Sequence, residues 1–341
     1  MSKAIGWALI FGIAGGLSST AAPAATVCVD TVQALRDALD TTAANGTDDT
    51  IQVVRGTYHL GGSALLFSSA EAHSVNVVGG FAPGCGTRLH NAAMTVLDGD
   101  DMSPIFNVTT SNDFELHFLT LQHGNLVGSS GGAMAMFGNG TASAALFANI
   151  IVRDSTSDYG VGGLIFSVAG TVTLQDNLVT GIVSPGGALY VGNDTTVAVH
   201  LTNNTVVGNT ATNPGAASMV YIGAGGNVPM DASNNIFWNN GDIADLDFVN
   251  GAMVLVDNDY QRIDAFLGAG SVGNVSVDPG FGGNGDFHLR ADSPLVGIGT
   301  LIPPGGLTTY DLQGNDRTWN GTVDPGVYER GDEIFVDGYD V

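Results

Sequence analysis

The sequence predicts an all-β fold, a right-handed parallel β-helix built as a single-stranded solenoid. Four stretches open with Asn and repeat one apolar pattern, at 149–154, 177–182, 204–209 and 235–240, with spacings of 28, 27 and 31 residues. Such a period is typical of stacked units that cannot bury their apolar faces alone. The runs are short, rich in Val, Ile, Thr and Phe, and broken by Gly, which is typical of strands. Each Asn-led run follows a Gly-rich turn and another apolar run, so one unit fits one coil of the helix.

The first 25 residues have the features of a secretory signal peptide. Lys3 supplies a positive start, an apolar run covers 4–17, and 22–24 (Ala-Pro-Ala) offers a cleavage site. This apolar run is shorter than the ~20 residues that span a bilayer, so we expect no integral membrane protein. We predict one β-helix domain at 26–330 and a separate tail at 331–341.

A short helix is predicted at the start of the domain. Asp30 is a candidate N-cap with Gln33 three residues later, and Val32, Leu35 and Leu39 fall on one helical face. A helix here would cover the open end of the first coil, which otherwise exposes strand edges and apolar interior.

The chain has two cysteines, Cys28 and Cys85. In an exported protein an even pair predicts a disulfide, which would tie the N-terminal segment to the first coils; two reduced thiols are the alternative. We expect no metal site on these thiols, because no His-rich motif accompanies them.

The Asn at the head of each repeat has a physical role in a solenoid. Its amide both donates and accepts hydrogen bonds, so stacked copies can bond to one another and to the turn backbone. Asn also tolerates the left-handed backbone that such turns need. We therefore predict an Asn ladder along the axis.

The charge balance excludes several partners. The formal net charge is −24 and Lys3 is the single lysine. Nucleic-acid binding needs basic residues that displace counterions, so we expect none, and anionic lipid surfaces are disfavoured as well. Divalent cations, cationic surfaces and neutral glycans remain compatible.

Several motifs in a fixed order carry a family resemblance. Residues 77–81 (Val-Val-Gly-Gly-Phe), followed by Cys85 and Arg88, precede 95–99 (Thr-Val-Leu-Asp-Gly). Further motifs follow near the end of the chain: 286–290 (Asp-Phe-His-Leu-Arg), 293–295 (Ser-Pro-Leu), 311–317 (Asp-Leu-Gln-Gly-Asn-Asp-Arg) and 324–329 (Asp-Pro-Gly-Val-Tyr-Glu). Together they resemble secreted bacterial right-handed β-helix proteins of the choice-of-anchor Q type, within the pectate-lyase-like superfamily.

The resemblance covers most of residues 28–330 and departs from the family pattern in places. Gly297-Ile298-Gly299 stands where an Asp is usual, and Pro325 and Val327 replace commoner residues. The closing motif still makes sense as a cap, since an arginine at 317 can pair with Asp or Glu at 324 or 329 and close the last coil. The tail at 331–341 resembles a short acidic-aromatic ending of secreted proteins from some Gram-negative bacteria. A sorting or export tag is one interpretation of it, and a frayed terminus is the other.

Candidate catalytic residues come from one irregular repeat. Arg153 stands where the other repeats carry Gly or Asn, and Asp154 follows it. One repeat earlier the aligned position holds His123, and before that Asp98 and Asp100. A lyase needs a base and a hydrolase needs clustered carboxylates, so these residues would serve either chemistry if they converge. A solvated face with an Arg153–Asp pair is the simpler interpretation.

Candidate binding residues are the aromatics Phe166, Tyr190 and Tyr221, which occupy similar places in successive repeats. Facing outward they would form a flat ladder for stacking on sugar rings; facing inward they would belong to the core. We expect no cofactor, with Ca²⁺ at the acidic stretch 242–264 as an alternative, although no Ca²⁺-loop pattern is present there.

The sequence thus favours a secreted or cell-surface protein, monomeric and non-catalytic, that binds polysaccharide or a cell-surface glycan. A polysaccharide lyase or glycoside hydrolase acting on the outer face of the solenoid is the alternative. Fold alone does not decide between them.

Overall fold

A computed structural model describes residues 24–138, 143–193, 198–224, 230–249, 251–264 and 267–331. These residues form a parallel β-solenoid of about 8 turns. The prediction of an all-β parallel β-helix is therefore confirmed. The predicted signal peptide up to residue 23 and the tail from residue 332 lie outside the described residues.

The described part of the chain contains one α-helix, α1 (Val32–Thr42), a short 3-10 helix (Ala92–Met94) and 29 strands. The strands of the first half, in chain order, are β1 (Ala25–Val29), β2 (Asp49–Val54), β3 (Gly56–His59), β4 (Leu65–Ser69), β5 (Val75–Phe81), β6 (Thr95–Asp98), β7 (Phe106–Thr110), β8 (Phe114–Gln122), β9 (Asn125–Leu126), β10 (Met134–Gly138), β11 (Ala145–Arg153), β12 (Thr156–Ser157), β13 (Leu164–Ser167) and β14 (Thr171–Gln175). The remaining strands are β15 (Leu178–Thr180), β16 (Val183–Ser184), β17 (Leu189–Asn193), β18 (Ala198–Thr202), β19 (Thr205–Val207), β20 (Thr210–Ala211), β21 (Ser218–Ala224), β22 (Met230–Ser233), β23 (Ile236–Trp238), β24 (Ala244–Phe248), β25 (Val254–Val256), β26 (Asp259–Tyr260), β27 (Ile263–Asp264), β28 (Phe281–Gly283) and β29 (Asp286–Leu289).

Three parallel sheets run along the solenoid. The first is 15-stranded and has β1-β2-β5-β8-β11-β14-β18-β22-β25 as its longest path, with the strands after each bend stacked beside it. The second follows β4-β7-β10-β13-β17-β21-β24-β27, and the third β9-β12-β16-β20. Equivalent residues of successive coils pair directly, so each outward position becomes a column of side chains along the axis.

The interior is a continuous apolar core. On β10, the side chains of Met134 and Met136 are fully buried, while that of Phe137, the next residue along the strand, is half exposed. Inward and outward side chains are expected to alternate in this way on a strand with one face inside. The same core holds the phenylalanines Phe106, Phe114, Phe147 and Phe166. Their rings meet at tilted or edge-on angles, for example Phe147 and Phe166 at 4.9 Å between centroids.

The predicted Asn ladder exists inside the solenoid. The Oδ1 of Asn204 accepts from both the backbone N–H and the Nδ2 of Asn177, each at 3.0 Å. Asn235 does the same for Asn204, and Asn258 and Asn274 continue the ladder. The amides of Asn177, Asn204, Asn235 and Asn258 are buried, so each bond satisfies polar groups of the turn that have lost their hydration.

In the first repeat, the ladder position is Ile150, one residue later than the Asn149 that the sequence indicates. Ile151 pairs with Leu178, which places Asn149 opposite Asp176 and Ile150 opposite Asn177. Asn149 and Asp176 occupy the left-handed bend, with φ of 57° and 52°. Asn and Asp both tolerate that bend, so Asn149 belongs to the bend column and Ile150 takes the ladder position.

The N-terminal cap and the disulfide are both present. Leu35 and Leu39 of α1 are fully buried in the solenoid core, as predicted. The N-cap is Thr31, whose side chain accepts from Ala34 N–H, and not Asp30. Cys28 and Cys85 form a disulfide, which confirms the predicted pair. Among the described residues no helix is long and apolar enough to cross a membrane.

The chain after the last coil returns along the side of the solenoid. We call residues 276–330 the C-terminal segment. Its backbone carbonyls accept from Asn234 (through Thr300), Asn203 (through Asp324) and Asn149 (through Tyr310). These contacts follow the bend column from late coils back to early ones. The segment therefore covers the first sheet lengthwise, whereas the closing motif was predicted to cap the last coil.

Candidate functional site

A column of polar side chains lies on the outer face of the first sheet. His59 pairs with Asp98, Asp98 with Gln122, and Gln122 with Arg153 in the strand register. The neighbours of these residues along each strand, such as Leu97 and Leu121, point into the core. Because strand residues alternate between faces, the four side chains all project outward. We call this set the polar column.

Hydrogen bonds link the polar column into one chain. Gln122 Nε2 donates to Asp98 Oδ2 at 2.6 Å, and Gln122 Oε1 accepts from Arg153 Nε at 2.9 Å. His123 Nδ1 lies 3.1 Å from each oxygen of Asp98. Arg153 Nε is 3.9 Å from the carboxylate of Asp154, and both side chains are about half exposed.

A second branch starts at Asp100. Its Oδ1 lies 2.6 Å from His59 Nδ1 and its Oδ2 accepts from Gly61 N–H at 2.9 Å, while its own N–H donates to Asp98 Oδ1. All five predicted catalytic candidates are therefore connected through Asp98 and Gln122. Sequence reasoning missed Gln122 because the alignment placed His123 in its position beside Arg153, and it missed His59 because that residue lies upstream of the aligned repeats.

The register corrects the alignment that singled out Arg153. Arg153 pairs with Gln122 and with Thr180, not with His123 and not with a Gly or Asn position. Asp154 follows Arg153 and lies in a bend, with φ of 49°. The equivalent bend residue of the next coil is Gly181, with φ of 66°. The irregular feature of this repeat is thus Asp154 in a bend, while Arg153 is an ordinary outward strand residue.

The electrostatics of this site favour ionised carboxylates. Burial opposes the charged form of Asp98, but hydrogen bonds from Gln122, Asp100 N–H and His123 outweigh it and hold the pKa of Asp98 below its usual value. The Gly61 N–H and then His59 lower the pKa of Asp100. The hydrogen bond that His59 donates to Asp100 raises the pKa of His59. These carboxylates suit cation binding or charge pairing better than proton donation.

One group of possible metal ligands occurs here. The ligand atoms of His59, Asp98 and Asp100 lie within 4.8 Å of one another. In the stretch proposed for Ca²⁺, Asp245 accepts from Asn240 and from two backbone N–H groups. Asp259 is buried beneath the C-terminal segment, where it accepts from Val277 N–H.

Two of the three aromatic candidates form a pair on the outer face of the second sheet. Tyr190 and Tyr221 are register partners, with ring centroids 5.6 Å apart and planes within 6° of parallel. Both rings are partly exposed. Phe166 corrects the prediction: it pairs with Val191 and is fully buried in the core, so it faces inward.

Glycines let the two tyrosines lie on the sheet. A Cβ at Gly192 would come within 2.4 Å of three atoms of the Tyr190 phenol, and a Cβ at Gly223 would lie 3.1 Å from the ring of Tyr221. Each ring therefore lies along its own strand, over the glycine two residues later. We call Tyr190, Tyr221 and these glycines the tyrosine patch.

Apolar and acidic residues extend the tyrosine patch at its two ends. Tyr190 packs against a small outer cluster of Ala135, Val161 and Ile165. On the other side Asp247 is the register partner of Tyr221. Burial and then the Asp247 charge raise the pKa of Tyr221, so its hydroxyl stays protonated at neutral pH.

Comparison with known proteins adds no assignment. No protein-family model matches this chain, and no curated protein matches it either.

Proposed function

We propose that this chain is a secreted or cell-surface β-helix protein of the choice-of-anchor Q type that binds glycan without catalysis. The tyrosine patch is the observation that carries the proposal. Two near-parallel, outward-facing rings on a rigid sheet provide the flat apolar surface on which the C–H face of a sugar ring stacks. The disulfide supports a location outside the reducing cytoplasm.

The surroundings of the patch fit a neutral polysaccharide. Asp247 and the Tyr221 hydroxyl offer an acceptor and a donor for sugar hydroxyls beside the rings. Coils stack at about 4.8 Å, close to the length of one sugar unit, so successive columns present repeated contacts to a chain that runs along the axis. The net charge of −24 disfavours strongly anionic polymers at this exposed face.

A glycan-array screen followed by calorimetry on the selected glycan tests the proposal. We expect Tyr190→Ala and Tyr221→Ala each to weaken binding by about tenfold, since a lost stacking contact costs ~1 kcal/mol or more. Tyr159→Ala, which removes an exposed tyrosine outside the patch, is the matched control. Unchanged affinity in both patch variants would refute the assignment of this face.

An enzyme acting at the polar column is the second candidate, because its side chains converge within hydrogen-bonding distance. A lyase or hydrolase predicts unsaturated products or new reducing ends, both lost in Arg153→Ala. The lowered pKa values of Asp98 and Asp100 weigh against a hydrolase, which needs a protonated carboxylic acid. Product formation that depends on Arg153 would replace our first proposal.

A further inference from the structure

A cavity of about 270 Å³ lies where the C-terminal segment meets the first sheet. It is lined by residues from five separate parts of the chain, among them Arg88, His90, His117, Asn149 and Tyr310. Arg88 lies beside the short hairpin bridge to Phe81. The disulfide at Cys85 ties that hairpin to β1, so the wall that carries Arg88 is held in place.

The guanidinium cation of Arg88 has no counter-ion among the described residues. Its Nε donates to the Gly79 carbonyl at 3.1 Å, and its guanidinium carbon lies 4.4 Å from the Phe118 ring centroid. No carboxylate of the described residues pairs with it. Its Nη2 is buried without any hydrogen-bond partner. Burial lowers the pKa of Arg88 to about 10, as expected for a charge that has lost water and gained no anion.

Some other arginines of this acidic chain pair with carboxylates, whereas Arg88 does not. The fully buried Arg317 pairs with two carboxylates, and the exposed Arg290 pairs with Asp292. The cavity lining contains no Asp or Glu, although the neighbouring cavity is lined by Asp113 and Glu115. An unpaired, partly buried cation is costly unless an anion completes it.

We propose that this cavity binds a ligand through a carboxylate held by Arg88, with a flat or ring-shaped body against His90 and Tyr310. The rings of His90 and Tyr310 stack with centroids 4.2 Å apart, and His90 meets Phe118 edge-on at 5.3 Å. Because Nε donates to Gly79 and Nη2 is buried, Nη1 is the guanidinium nitrogen that remains to donate to a carboxylate in the cavity. The aromatic walls favour a carboxylate on a ring over a bare inorganic anion.

The ligand is either a free organic acid or an acidic sugar unit of a glycan, since both carry the same group. This site is on the first sheet and is independent of the tyrosine patch on the second. The two proposals can therefore fail separately: variants of Tyr190 test the patch, and variants of Arg88 test the cavity.

Benzoate and glucuronate are the probes, with glucose and inorganic phosphate for comparison. Titrations are followed by calorimetry and by the NMR resonances of the arginine Nε–H groups. The chain has eight arginines, so these signals are few and separable. We expect the carboxylates to bind and to shift the Arg88 signal, while glucose does not. Tighter binding of benzoate would identify a free acid, and tighter binding of glucuronate an acidic sugar.

Arg88→Gln and Arg88→Lys separate the loss of the positive charge from the loss of the guanidinium shape. We expect carboxylate affinity to fall at least about tenfold in Arg88→Gln and less in Arg88→Lys, while Arg290→Gln keeps it. Because Arg88 also packs on Phe118, thermal unfolding of each variant is measured alongside. If Arg88→Gln does not fold, the shift of the Arg88 Nε–H signal when carboxylate is added to the wild-type protein decides whether Arg88 binds the ligand. Absence of carboxylate binding, a shift confined to other arginines, or stronger binding of phosphate would each overturn the proposal.

Discussion

Arg317 and Asp176 are 141 positions apart in the chain, yet Arg317 Nη1 donates to Asp176 Oδ1 at 2.7 Å with both side chains buried. Arg317 Nη2 donates to Glu329 at 2.7 Å, and the carbonyls of Asp324 and Gly326 accept from the same guanidinium. The closing motif thus pairs with Glu329 as the sequence indicated. The other carboxylate that pairs with Arg317, Asp176, lies at a bend of the first sheet, which attaches the C-terminal segment to the middle of the solenoid.

Removing this guanidinium should be strongly destabilising. Arg317→Met leaves Asp176 and Glu329 buried without a cation, which typically costs about 3–5 kcal/mol. The measurement is the free energy of unfolding from urea denaturation. Arg290→Met removes an exposed pair with Asp292 and should cost at most about 1 kcal/mol. Equal effects of the two variants would show that the buried cluster contributes little.

The ionisation of Asp259 should lower the free energy of unfolding as pH rises. Its Oδ2 is buried without a partner, and burial raises the pKa of Asp259 to about 7. Because the folded pKa exceeds the unfolded value of about 3.9, the stabilising contribution is complete below about pH 4 and is lost as pH rises through about 7. The loss is on the order of 2–4 kcal/mol.

Comparing unfolding free energies at about pH 4.5, near the lower end of the window, and at about pH 8, roughly one unit above its upper end, measures most of this contribution. Asp259→Asn should reduce the decline across this window, while Glu329 and Asp176, whose pKa values burial raises to about 7 and about 6, sustain the remainder. Asp154→Asn removes the same charge from an exposed bend and should leave the decline unchanged. A wild-type slope that persists in Asp259→Asn would assign it to other groups.

The Asn ladder should be sensitive to a single truncation. Asn204→Ala removes four side-chain hydrogen bonds, two with Asn177, one to Leu174 O and one with Asn235. It leaves buried backbone groups unpaired, at about 1–3 kcal/mol each, so we expect a loss of at least ~3 kcal/mol in unfolding free energy. The exposed Asn213→Ala should stay within about 0.5 kcal/mol of wild type.

Gly192 should control the orientation of a neighbouring tyrosine. In Gly192→Ala the new Cβ would overlap the Tyr190 phenol, so the ring must leave the sheet. We expect near-ultraviolet circular dichroism to change and glycan affinity to fall by about as much as in Tyr190→Ala, although the tyrosine remains. Gly86→Ala meets nothing within 4 Å and is the control. Unaltered affinity would mean that glycan does not use the flat orientation.

The sequence was sufficient for the solenoid because both ladder and core repeat at one spacing. It was insufficient for register wherever two adjacent positions accept the same residue. At Asn203-Asn204 and Asn234-Asn235 one Asn lies in the bend and the next in the ladder. Asn149 supplies only the bend, so counting from it shifted that repeat by one residue and misplaced Arg153.

The prediction that Phe166 binds ligand was wrong for a related reason. A shift of one position along a strand exchanges the inner and outer faces. Phe166 and Tyr190 look equivalent in spacing, yet Phe166 pairs with Val191 and its neighbour Ile165 pairs with Tyr190. Strand pairing, which depends on contacts far apart in the chain, decides which aromatic is available at the surface.

The returning C-terminal segment changes how the solenoid should unfold. In an array whose units contact only their neighbours, terminal units fray independently of the centre. Here Leu312 O accepts from Ala92 N–H in an early coil, and Thr300 O accepts from Asn234 in a late one. One covalent stretch therefore couples distant units, which turns a one-dimensional array into a single cooperative body. It also means that an emerging chain acquires this coupling only after residues 300–324 have been made.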